Sequence, residues 1–486
     1  MNINSSFKII VFLVFIVVSV ACKSTEPADP VLTVSASEIS FDPEGGTQAI
    51  TVECNDQWSI SSAASWLQLS QTAGNTGNAT IELTAALNAA GANRSVVVVV
   101  TSSNGQARRV TVSQASLIYP TYNTSPQAPD VTDMSSTAAQ LAAKIGLGWN
   151  IGNTMESPGG ESGWGNPSIT EDYVRFVKQQ GFNAIRIPCA WDWHHVDDPK
   201  TARINADWLN RVKEVIGYCV NNDMYVLLNI HWDGGWLDNN INKVKQDSVN
   251  AKQKAYWEQI ATAMRNFDEH LLFASANEPP ADDAERMEIL STYHQTFVNA
   301  VRSTGGKNSY RVLVVQGPST DIGKTNDLMN ALPSDEVKDR MMVEVHYYTP
   351  SQFCLLFDGD ASWGKMFYYW GAGHHSIIEP DRNPTWGEEE DVNKYFGLMK
   401  AKFIDKGIPV IMGEYGAYRR NNGKYVPKDI ETHNDAVDYW ITYVTKQAIA
   451  NGIKPFWWDT GGALDRAKYS VKDQRTIDAL NAATKK

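Results

Sequence analysis

Short runs in which apolar and polar residues alternate fill the chain from Val31 to about Ser116. Alternation with a period of two is typical of β-strands that bury one face, and turn-forming residues separate these runs. Several short strands at this spacing predict a small all-β sandwich of immunoglobulin-like size over residues 31–116. The runs are LTVSASEISF, QAITVEC, ATIELTAAL, RSVVVVVTSS and ARRVTVSQAS.

From about residue 135 the pattern changes to short apolar runs that alternate with amphipathic stretches of helical period. This alternation is the signature of parallel βα units in the α/β class. Eight units predict a (β/α)8 TIM barrel over residues 135–486; a doubly wound open sheet is the alternative, but we see no Gly-rich phosphate loop. The predicted strands lie in IGLGWNIGN, FNAIRIP, YVLLNIHW, LLFASANEP, RVLVVQG, MVEVHYYT, PVIMGEYG and KPFWWDT.

Residues 117–134 separate the two patterned regions. Their sequence begins LIYPTYNTSPQAPDVTD, which contains three prolines and has no apolar period. Such a composition predicts a semi-stiff linker, so we expect the two domains to be separable.

The chain starts with the pattern of an export signal. Lys8 supplies a positive charge, and Ile9 to Val20 form an apolar run that is shorter than a typical transmembrane helix. The run ends in SVAC, which resembles the lipobox of bacterial lipoproteins, although Ser19 departs from the usual large aliphatic residue. We predict a lipoprotein-type signal peptide over residues 1–21 and lipidation of Cys22, with ordinary cleavage as the alternative.

The composition is that of a globular protein, with 43% apolar and 20% charged residues in 486. A net charge of -12 argues against a nucleic-acid or an anionic-membrane partner, and a neutral substrate is compatible with it. The cysteines beyond Cys22 have neither CxxC spacing nor histidines at metal-ligand intervals, so we predict no metal, no other cofactor and no disulfide framework. Cys189 and Cys219 lie in apolar contexts that are typical of buried thiols.

Polar side chains follow the apolar runs at the same end of successive predicted strands. Because the carboxyl ends of barrel strands meet at one face, we expect these side chains to converge on one active site. A surface turn is the alternative for the NEP stretch, but scattered turns would not place polar groups so regularly. The residues are Arg186 (second strand), His231 (third), Asn277 and Glu278 (fourth), His346 and Tyr348 (sixth), Glu414 (seventh), and Trp457 and Trp458 (eighth).

Glu278 and Glu414 are expected to face each other across the barrel mouth. Two carboxylates about 5–5.5 Å apart serve retaining glycoside hydrolysis: one attacks the anomeric carbon, and the other protonates the leaving oxygen and later activates water. Arg186 and the Tyr348 hydroxyl would lower the pKa of Glu414, the expected nucleophile, whereas the pKa of Glu278, the expected acid/base, should be raised. Asn277 would bind the sugar 2-hydroxyl.

Several motifs along residues 135–486 match one enzyme family. They are GWNIGNTMES, GWGNPSIT, GFNAIRIP, LLNIHWDGGW, NEP, VHYY, GEYGA and FWWDTGG. Through them the chain resembles glycoside hydrolase family 5, subfamily 4. The resemblance assigns functional roles to Arg186, His231, Asn277, Glu278, His346, Tyr348, Glu414 and a tryptophan of the eighth strand. We favour Trp458 because the family's subsite tryptophan commonly precedes a non-proline cis peptide bond, and Trp457 is then a core residue.

The predicted sandwich also carries recognisable stretches, namely LTVSASEISFDPEGGTQAITV, WSISSAASWLQLS and VTVSQA. In these it resembles BACON domains. Trp58 and Trp66 are interpreted as packing residues, with sugar binding as the alternative. No cluster of carboxylates or histidines in this domain indicates chemistry.

The subfamily resemblance implies endo-β-1,4-glucanase activity on cellulose-like chains, often including xyloglucan and mixed-linkage β-glucan. The sequence has 16 tryptophans, and aromatic faces pack well against sugar CH groups. The long segment between the sixth and seventh strands is the expected cleft wall. The tryptophans that follow barrel strands include Trp164, Trp191, Trp193, Trp232, Trp236, Trp363, Trp370 and Trp386.

We favour xyloglucan as the substrate, because a BACON domain and a lipid anchor suit a surface enzyme that meets soluble branched polymers. The alternatives are a glucanase without xyloglucan preference, a β-mannanase or exo-β-glucosidase of the same clan, and a non-catalytic glycan-binding protein. The last is disfavoured because both glutamates are present. We expect an exported outer-membrane lipoprotein at the cell surface, held to the membrane by its lipid and monomeric.

Overall fold

The structure is a computed structural model that describes residues 29–88 and 93–485. The chain forms two units, which divide between Ser116 and Leu117. The predicted signal peptide and Cys22 lie outside the described residues. In the described part of the chain, none of the helices has both the length and the apolar character that crossing a membrane requires.

The first unit is a two-sheet β-sandwich, as the alternating pattern predicts. Its strands are β1 (Leu32–Val34), β2 (Glu38–Phe41), β3 (Gly46–Cys54), β4 (Trp58–Ser61), β5 (Leu67–Leu69), β6 (Ala73–Gly74), β7 (Gly77–Ala85), β8 (Arg94–Ser102) and β9 (Ala107–Gln114). One sheet has the order β1-β3-β7-β5, and the other has the order β2-β9-β8-β4-β6. Alternate residues of the long strands are buried between the sheets, as Val98 and Val110 are where β8 and β9 pair.

The two tryptophans of the sandwich have packing roles. Trp58 is buried, and its indole nitrogen donates to the Asn75 carbonyl oxygen at 3.1 Å. Trp66 is partly buried, and the Arg94 guanidinium lies 4.5 Å from the centre of its ring. Both rings are therefore engaged within the domain, which favours packing over sugar binding.

The second unit contains a closed barrel of eight parallel strands, so the (β/α)8 prediction is confirmed and the open sheet is excluded. The strands follow one another around the barrel in chain order, and the last pairs with the first. Seven of them fall within the predicted runs, and the sixth begins at Met341, one residue before its run. They are β10 (Gly148–Asn150), β11 (Ala184–Ile187), β12 (Tyr225–Asn229), β13 (Leu271–Ala274), β14 (Leu313–Gln316), β15 (Met341–Tyr347), β16 (Val410–Tyr415) and β17 (Lys454–Trp457).

Amphipathic helices cover the barrel. In Ala206–Asn221 the buried residues Trp208, Val212 and Cys219 recur at helical spacing, and Asn205 caps the start by accepting from the Trp208 N–H. The helices are α1 (Ala138–Lys144), α2 (Glu171–Gln179), α3 (Ala206–Asn221), α4 (Gln246–Met264), α5 (Ala284–Ser303), α6 (Ile322–Leu328), α7 (Ser351–Cys354), α8 (Glu389–Lys402), α9 (Ile430–Ala450) and α10 (Gln474–Ala483).

Shorter elements lie in the connections. Three two-stranded pairs are Gln127–Pro129 with Gly305–Gly306, Val196–Asp198 with Arg203–Ile204, and Leu464–Asp465 with Ser470–Val471. Short 3₁₀ turns occupy Asp233–Gly235, Asp238–Asn240, Lys307–Ser309, Pro318–Thr320, Pro380–Arg382 and Ile404–Lys406. Cys189 and Cys219 are buried free thiols, as their apolar contexts predict.

Residues 117–134, predicted to be a semi-stiff linker, make specific contacts with the barrel unit. Tyr119 and Tyr122 pack against the core of the barrel unit. The backbone N–H groups of Tyr122 and Asn123 donate to one oxygen of the buried Glu258 carboxylate at 2.6 and 3.1 Å. The prolines and the missing apolar period conceal these contacts, because a carboxylate far along the chain makes them. The barrel unit therefore begins near residue 117 rather than 135.

Deleting this segment should destabilise the barrel. Residues 135–486 expressed alone are expected to lose at least about 2 kcal/mol of unfolding free energy relative to residues 117–486, since hydrogen bonds to a charged group contribute about 1.5–3 kcal/mol. Thermal and guanidinium unfolding of the two fragments measures the difference. Glu258→Gln in the longer fragment is the matched variant and should lose less. Equal stability of the two fragments would restore the linker interpretation.

Candidate active site

The eight predicted site residues all lie at the carboxyl ends of the barrel strands. Arg186, His346 and Glu414 are on β11, β15 and β16, and the other five follow a strand within a few residues. The structure brings all eight together through the contacts described below. Their positions follow from topology, because parallel barrel strands end at one face.

Arg186 is the buried centre of the site. Its Nη1 donates to Glu414 Oε1 at 2.9 Å and to Asn150 Oδ1 at 3.1 Å, and its Nη2 donates to Asn277 Oδ1 at 2.8 Å. Its Nε lies 2.9 Å from Glu344 Oε1. One guanidinium thus fixes side chains from four other strands. Because the carbonyl oxygen of Asn277 is occupied, the amide NH₂ of that residue is left to donate to a ligand.

A β-bulge in β16 directs Glu414 into the site. Val345 of β15 pairs with Met412, but His346 pairs with Glu414, so Gly413 is an extra residue in β16. A Cβ atom at 413 would collide with Glu344 Oε1, which is why glycine stands there.

Glu278 and Glu414 approach each other closely. One oxygen of each carboxylate and one ring nitrogen of His346 lie within 4.8 Å of one another. The Glu278 side chain is 45% exposed and the Glu414 side chain is 8% exposed. Tyr348 donates its hydroxyl proton to Glu414 Oε2 at 3.0 Å. Glu414 therefore lies at the bottom of the site with fixed donors, and Glu278 faces the solvent from which a ligand would enter.

His346 lies between the two halves of the site. Its Nδ1 is 2.7 Å from Glu278 Oε1 and 3.8 Å from Glu414 Oε2, and its Nε2 is 3.2 Å from Glu344 Oε1. Burial alone would lower the pKa of His346, but the charge of Glu414 and the hydrogen bonds to Glu278 and Glu344 raise it to about 9. His346 is therefore an imidazolium at neutral pH and donates from both ring nitrogens.

The pKa values of the two glutamates shift in directions opposite to those expected from the sequence. Burial raises the pKa of Glu414 and outweighs the charges of His346 and Arg186 and the hydrogen bond from Tyr348. Burial would also raise the pKa of Glu278, but the hydrogen bond and charge of His346 lower it. The sequence pattern does not indicate that His346 contacts Glu278. This contact sets the direction of the pKa shift of Glu278, and burial sets that of Glu414.

His231 and Trp458 form a partly exposed wall of the site. Their rings are stacked, with centroids 5.9 Å apart and planes inclined by 7°. Burial, followed by the charges of Arg186 and His346, lowers the pKa of His231, so its ring is neutral. Its Nδ1 lies 3.3 Å from the Asn229 amide nitrogen and accepts from it, which leaves Nε2–H free to donate to a ligand.

The structure favours Trp458 over Trp457 as the platform for a ligand. Trp457 is 5% exposed and packs edge-on against Tyr415, whereas Trp458 is only partly buried. The expectation of a cis peptide bond after Trp458 is wrong, because among the described residues only the Thr349-Pro350 bond is cis.

Sequence reasoning missed two polar residues of the site. Asn150 orients Arg186 and donates its amide to the Gly413 carbonyl oxygen at 2.8 Å. Glu344 is fully buried beneath Arg186 and His346. The signal for Glu344 is present in VEVHYY, since residues 344 and 346 alternate along β15 and share one face.

The tryptophans after the barrel strands divide into core and surface residues. Trp191, Trp236 and Trp370 are buried, so Trp370 does not contribute to a cleft wall. Trp193 is partly buried and packs edge-on against Trp232 at 5.2 Å. Beside Tyr348 and Trp458 opens a cleft of about 450 Å³, with Leu355, Tyr418 and Asn422 on its wall. The exposed set, each between 43% and 54% exposed, is Trp164, Trp232, Trp363 and Trp386.

The group of Glu278, His346 and Glu414 is the only cluster of potential metal ligands among the described residues. Both ring nitrogens of His346 lie next to carboxylate oxygens, to which the imidazolium donates. An imidazolium has no free lone pair for a metal ion. In this protonation state the cluster suits proton transfer rather than metal binding.

Known protein families match both units of the chain. The profile of the viral BACON domain matches residues 31–117. The profile of the cellulase family, glycosyl hydrolase family 5, matches residues 150–463. The chain belongs to glycoside hydrolase family 5. The family 5 and BACON resemblances predicted from the motifs are thus confirmed.

Relatives of this family 5 protein cover nearly its whole length. The xyloglucan-specific endo-β-1,4-glucanase of Bacteroides ovatus is 32% identical over 501 residues, which cover 98% of this chain and 95% of that protein. A solved structure of a Bacteroides ovatus GH5 xyloglucanase with a XXXG heptasaccharide has a TM-score of 0.69 at 31% identity, covering 93% of this chain and 99% of that chain.

A second solved structure resembles the family 5 unit. It is a GH5 xyloglucan-specific β-1,4-glucanase from a ruminal metagenomic library, in complex with XXLG. Its TM-score is 0.66 at 38% identity, and the match covers 72% of this chain and 96% of that chain. The comparisons place the chain among glycosyl hydrolases, and the geometry of this chain brings two carboxylates close together at the barrel mouth.

Proposed function

We propose that the protein is a retaining endo-β-1,4-glucanase that hydrolyses xyloglucan by double displacement. The distance between Glu278 and Glu414 carries the proposal, since one oxygen of each lies within 4.8 Å of the other. Retaining glycosidases hold their carboxyl groups about 5–5.5 Å apart, whereas inverting enzymes need about 6.5–9.5 Å to admit a water molecule. The close approach of these two oxygens favours the retaining arrangement.

In the first step, Glu414 attacks the anomeric carbon while Glu278 gives a proton to the departing glycosidic oxygen. Arg186 and Tyr348 hold the two oxygens of Glu414, which fixes the carboxylate for attack. The products of this step are a glycosyl ester of Glu414 and a shortened chain with a new hydroxyl group. The free amide of Asn277 is placed to donate to the sugar 2-hydroxyl, a contact that strengthens toward the transition state.

In the second step, Glu278 removes a proton from water, and the resulting nucleophile attacks the anomeric carbon and releases Glu414. Two inversions give net retention of the β configuration. Glu278 is the more exposed of the two carboxylates, so it is the one that an incoming water molecule can reach.

Xyloglucan is the proposed substrate because relatives are described as xyloglucan-specific and because the surface carries exposed aromatic residues. The proteins of Bacteroides ovatus and of the ruminal library are both described as xyloglucan-specific. Trp232 and Trp363 are among the exposed tryptophans, and aromatic faces bind sugar CH groups without requiring charge. Xylose branches add apolar surface of this kind to a glucan backbone.

We also propose that the protein is exported and anchored at the outer membrane through lipidated Cys22, facing the cell exterior. The charged Lys8, the apolar run from Ile9 to Val20 and the SVAC sequence support this location. A monomer suffices for the activity, because one chain supplies all eight site residues.

The substrate proposal is tested with a panel of soluble polysaccharides. We expect kcat/KM on tamarind-type xyloglucan to equal or exceed that on carboxymethylcellulose and to exceed that on mannan by about 100-fold, which corresponds to two steps of about 1.4 kcal/mol in the transition state. Viscosity should fall before reducing ends accumulate, because cleavage is internal. Mannan as the best substrate, glucose as the sole early product, or binding without turnover would each contradict the proposal.

A further inference from the structure

Glu344 is a buried charge that the two-step hydrolysis does not use directly. It lies on β15 two residues before His346, so both side chains point to the same face of the strand. Its side chain is fully buried. Oε1 lies 2.9 Å from Arg186 Nε and 3.2 Å from His346 Nε2, and Oε2 accepts from Gln316 Nε2 at 2.6 Å.

These contacts connect Glu344 to both catalytic glutamates through two cations. Arg186 leads to Glu414, and His346 leads to Glu278. A buried carboxylate is costly unless its partners satisfy it, and here both oxygens are occupied. The contact with Glu344 also holds a proton on Nε2 of His346. The proton that His346 exchanges with Glu278 is therefore the one on Nδ1.

We propose that Glu344 is a positioning residue that keeps His346 protonated and aims its Nδ1–H at Glu278, so that His346 stores the proton that Glu278 gives to the leaving group. This inference rests on the proposed function, in which Glu278 is the general acid. The free enzyme then has an ionised Glu278 and a charged His346, and the acid form of Glu278 is made when substrate arrives.

The proton moves in a closed cycle. The Nδ1–H bond of His346 breaks as an O–H bond forms on Glu278 Oε1, which leaves a neutral imidazole with its remaining proton at Nε2 toward Glu344 Oε1. Glu278 then passes the proton to the glycosidic oxygen. In the second step Glu278 takes a proton from water and returns it to Nδ1, so that both residues regain their starting charges.

The surroundings of His346 support this cycle. The pKa of His346 is raised and the pKa of Glu278 is lowered, so Glu278 has no proton of its own at neutral pH. A sugar that covers the exposed Glu278 removes water from it, which favours its neutral form and draws the proton across. The charged and titratable groups that face the pair from other elements are Arg186, Glu414, Tyr348, the neutral His231 and Asp238. Burial and the charges of Glu278 and Asp233 raise the pKa of Asp238 to about 8.

The first test is the pH dependence of kcat/KM for Glu344→Gln. Removing this charge should lower the pKa of His346. Because the protonated form is the active one, the alkaline limb should move to lower pH by about two units. We expect kcat at pH 8 to fall about tenfold, a 1.4 kcal/mol effect, with KM changed little. Glu344→Asp keeps the charge and should recover part of the alkaline limb.

Asp335→Asn is the matched control. Asp335 forms a buried ion pair with Arg302 at 2.6 Å, with side chains 8% and 10% exposed, and it precedes β15 at the opposite end of the barrel. This variant should lose stability and leave the pH profile in place. An equal shift of the limb in the control would overturn the proposal, since the shift would then report general destabilisation.

The second test needs no substrate and therefore separates this proposal from the proposed function. Nitrogen-15 NMR of the imidazole rings should show His346 protonated at both nitrogens at pH 8. The chain has nine histidines, and the signals that disappear in His346→Asn identify this ring. In Glu344→Gln the same ring should be neutral at that pH. If the glutamine variant does not fold, Glu344→Asp should show a smaller decrease in the titration midpoint.

Two results would overturn the role of Glu344. One is an unchanged His346 titration in the folded Glu344 variants. The other concerns the double variant. If Glu344→Gln shifts the alkaline limb as much in the His346→Asn background as in the wild type, Glu344 does not act through His346. Loss of xyloglucan activity with an intact His346 titration would contradict only the proposed function.

Discussion

Glu414→Ala is expected to lower kcat on xyloglucan by about 10⁴-fold or more, because no other side chain in residues 29–88 and 93–485 is placed to form the glycosyl ester. The fold should persist, since Arg186 keeps its contacts with Asn150, Asn277 and Glu344. Initial rates on xyloglucan and thermal unfolding of the same preparation measure the two effects. Glu285→Ala is the control, because this glutamate is 61% exposed on α5 and should be dispensable.

Azide identifies the role of Glu414 more sharply than the loss of rate. In Glu414→Ala the removed carboxylate leaves space below the anomeric carbon, and azide can attack from that side. One inversion of a β-linked substrate gives the α-glycosyl azide. Near-normal turnover, or a β-glycosyl azide as the rescued product, would exclude Glu414 as the nucleophile.

Glu278→Ala is expected to lower kcat/KM on xyloglucan by about 10²–10⁴-fold, the usual contribution of general acid–base catalysis. The loss of the first step should be much smaller for a 2,4-dinitrophenyl β-cellobioside, because dinitrophenolate departs without a proton. Pre-steady-state release of dinitrophenol measures that step directly. Azide should then attack the glycosyl ester and give the β-glycosyl azide, the product of two inversions.

The comparison of the two substrates decides the assignment. A reduction of equal size on xyloglucan and on the dinitrophenyl substrate would show that Glu278 does not protonate the leaving group. His346→Asn provides a useful contrast, since it should also slow xyloglucan cleavage but retain Glu278 as the base for the second step.

Much of the fold could be predicted because the barrel strands are buried on both faces and therefore appear as continuous apolar runs. β13 is an example, since all four residues of Leu271–Ala274 are apolar and buried. The site could be predicted for a related reason: topology alone places the polar residue after each run at one face. Glu278 and Glu414 needed no knowledge of their contacts to be paired.

The remaining features depend on contacts that a sequence pattern does not contain. The lowered pKa of Glu278 depends on a 2.7 Å contact with His346, which is 68 residues away in the sequence. The raised pKa of Glu414 depends on its burial. The packing of residues 117–134 depends on Glu258, far along the chain. Composition likewise does not separate the buried Trp370 from the exposed Trp363, although both lie in the segment between β15 and β16.

The bulge at Gly413 has a consequence for protein engineering. The Glu344 carboxylate occupies the space that a side chain at 413 would need, so the two positions share one volume. Enlarging residue 413 alone would displace the carboxylate that holds Arg186 and His346, and would disturb both catalytic glutamates at once. Shortening residue 344 would free room for a methyl group at 413. Paired substitutions at these positions thus offer a way to adjust the working pH of the enzyme without altering any group that meets the sugar.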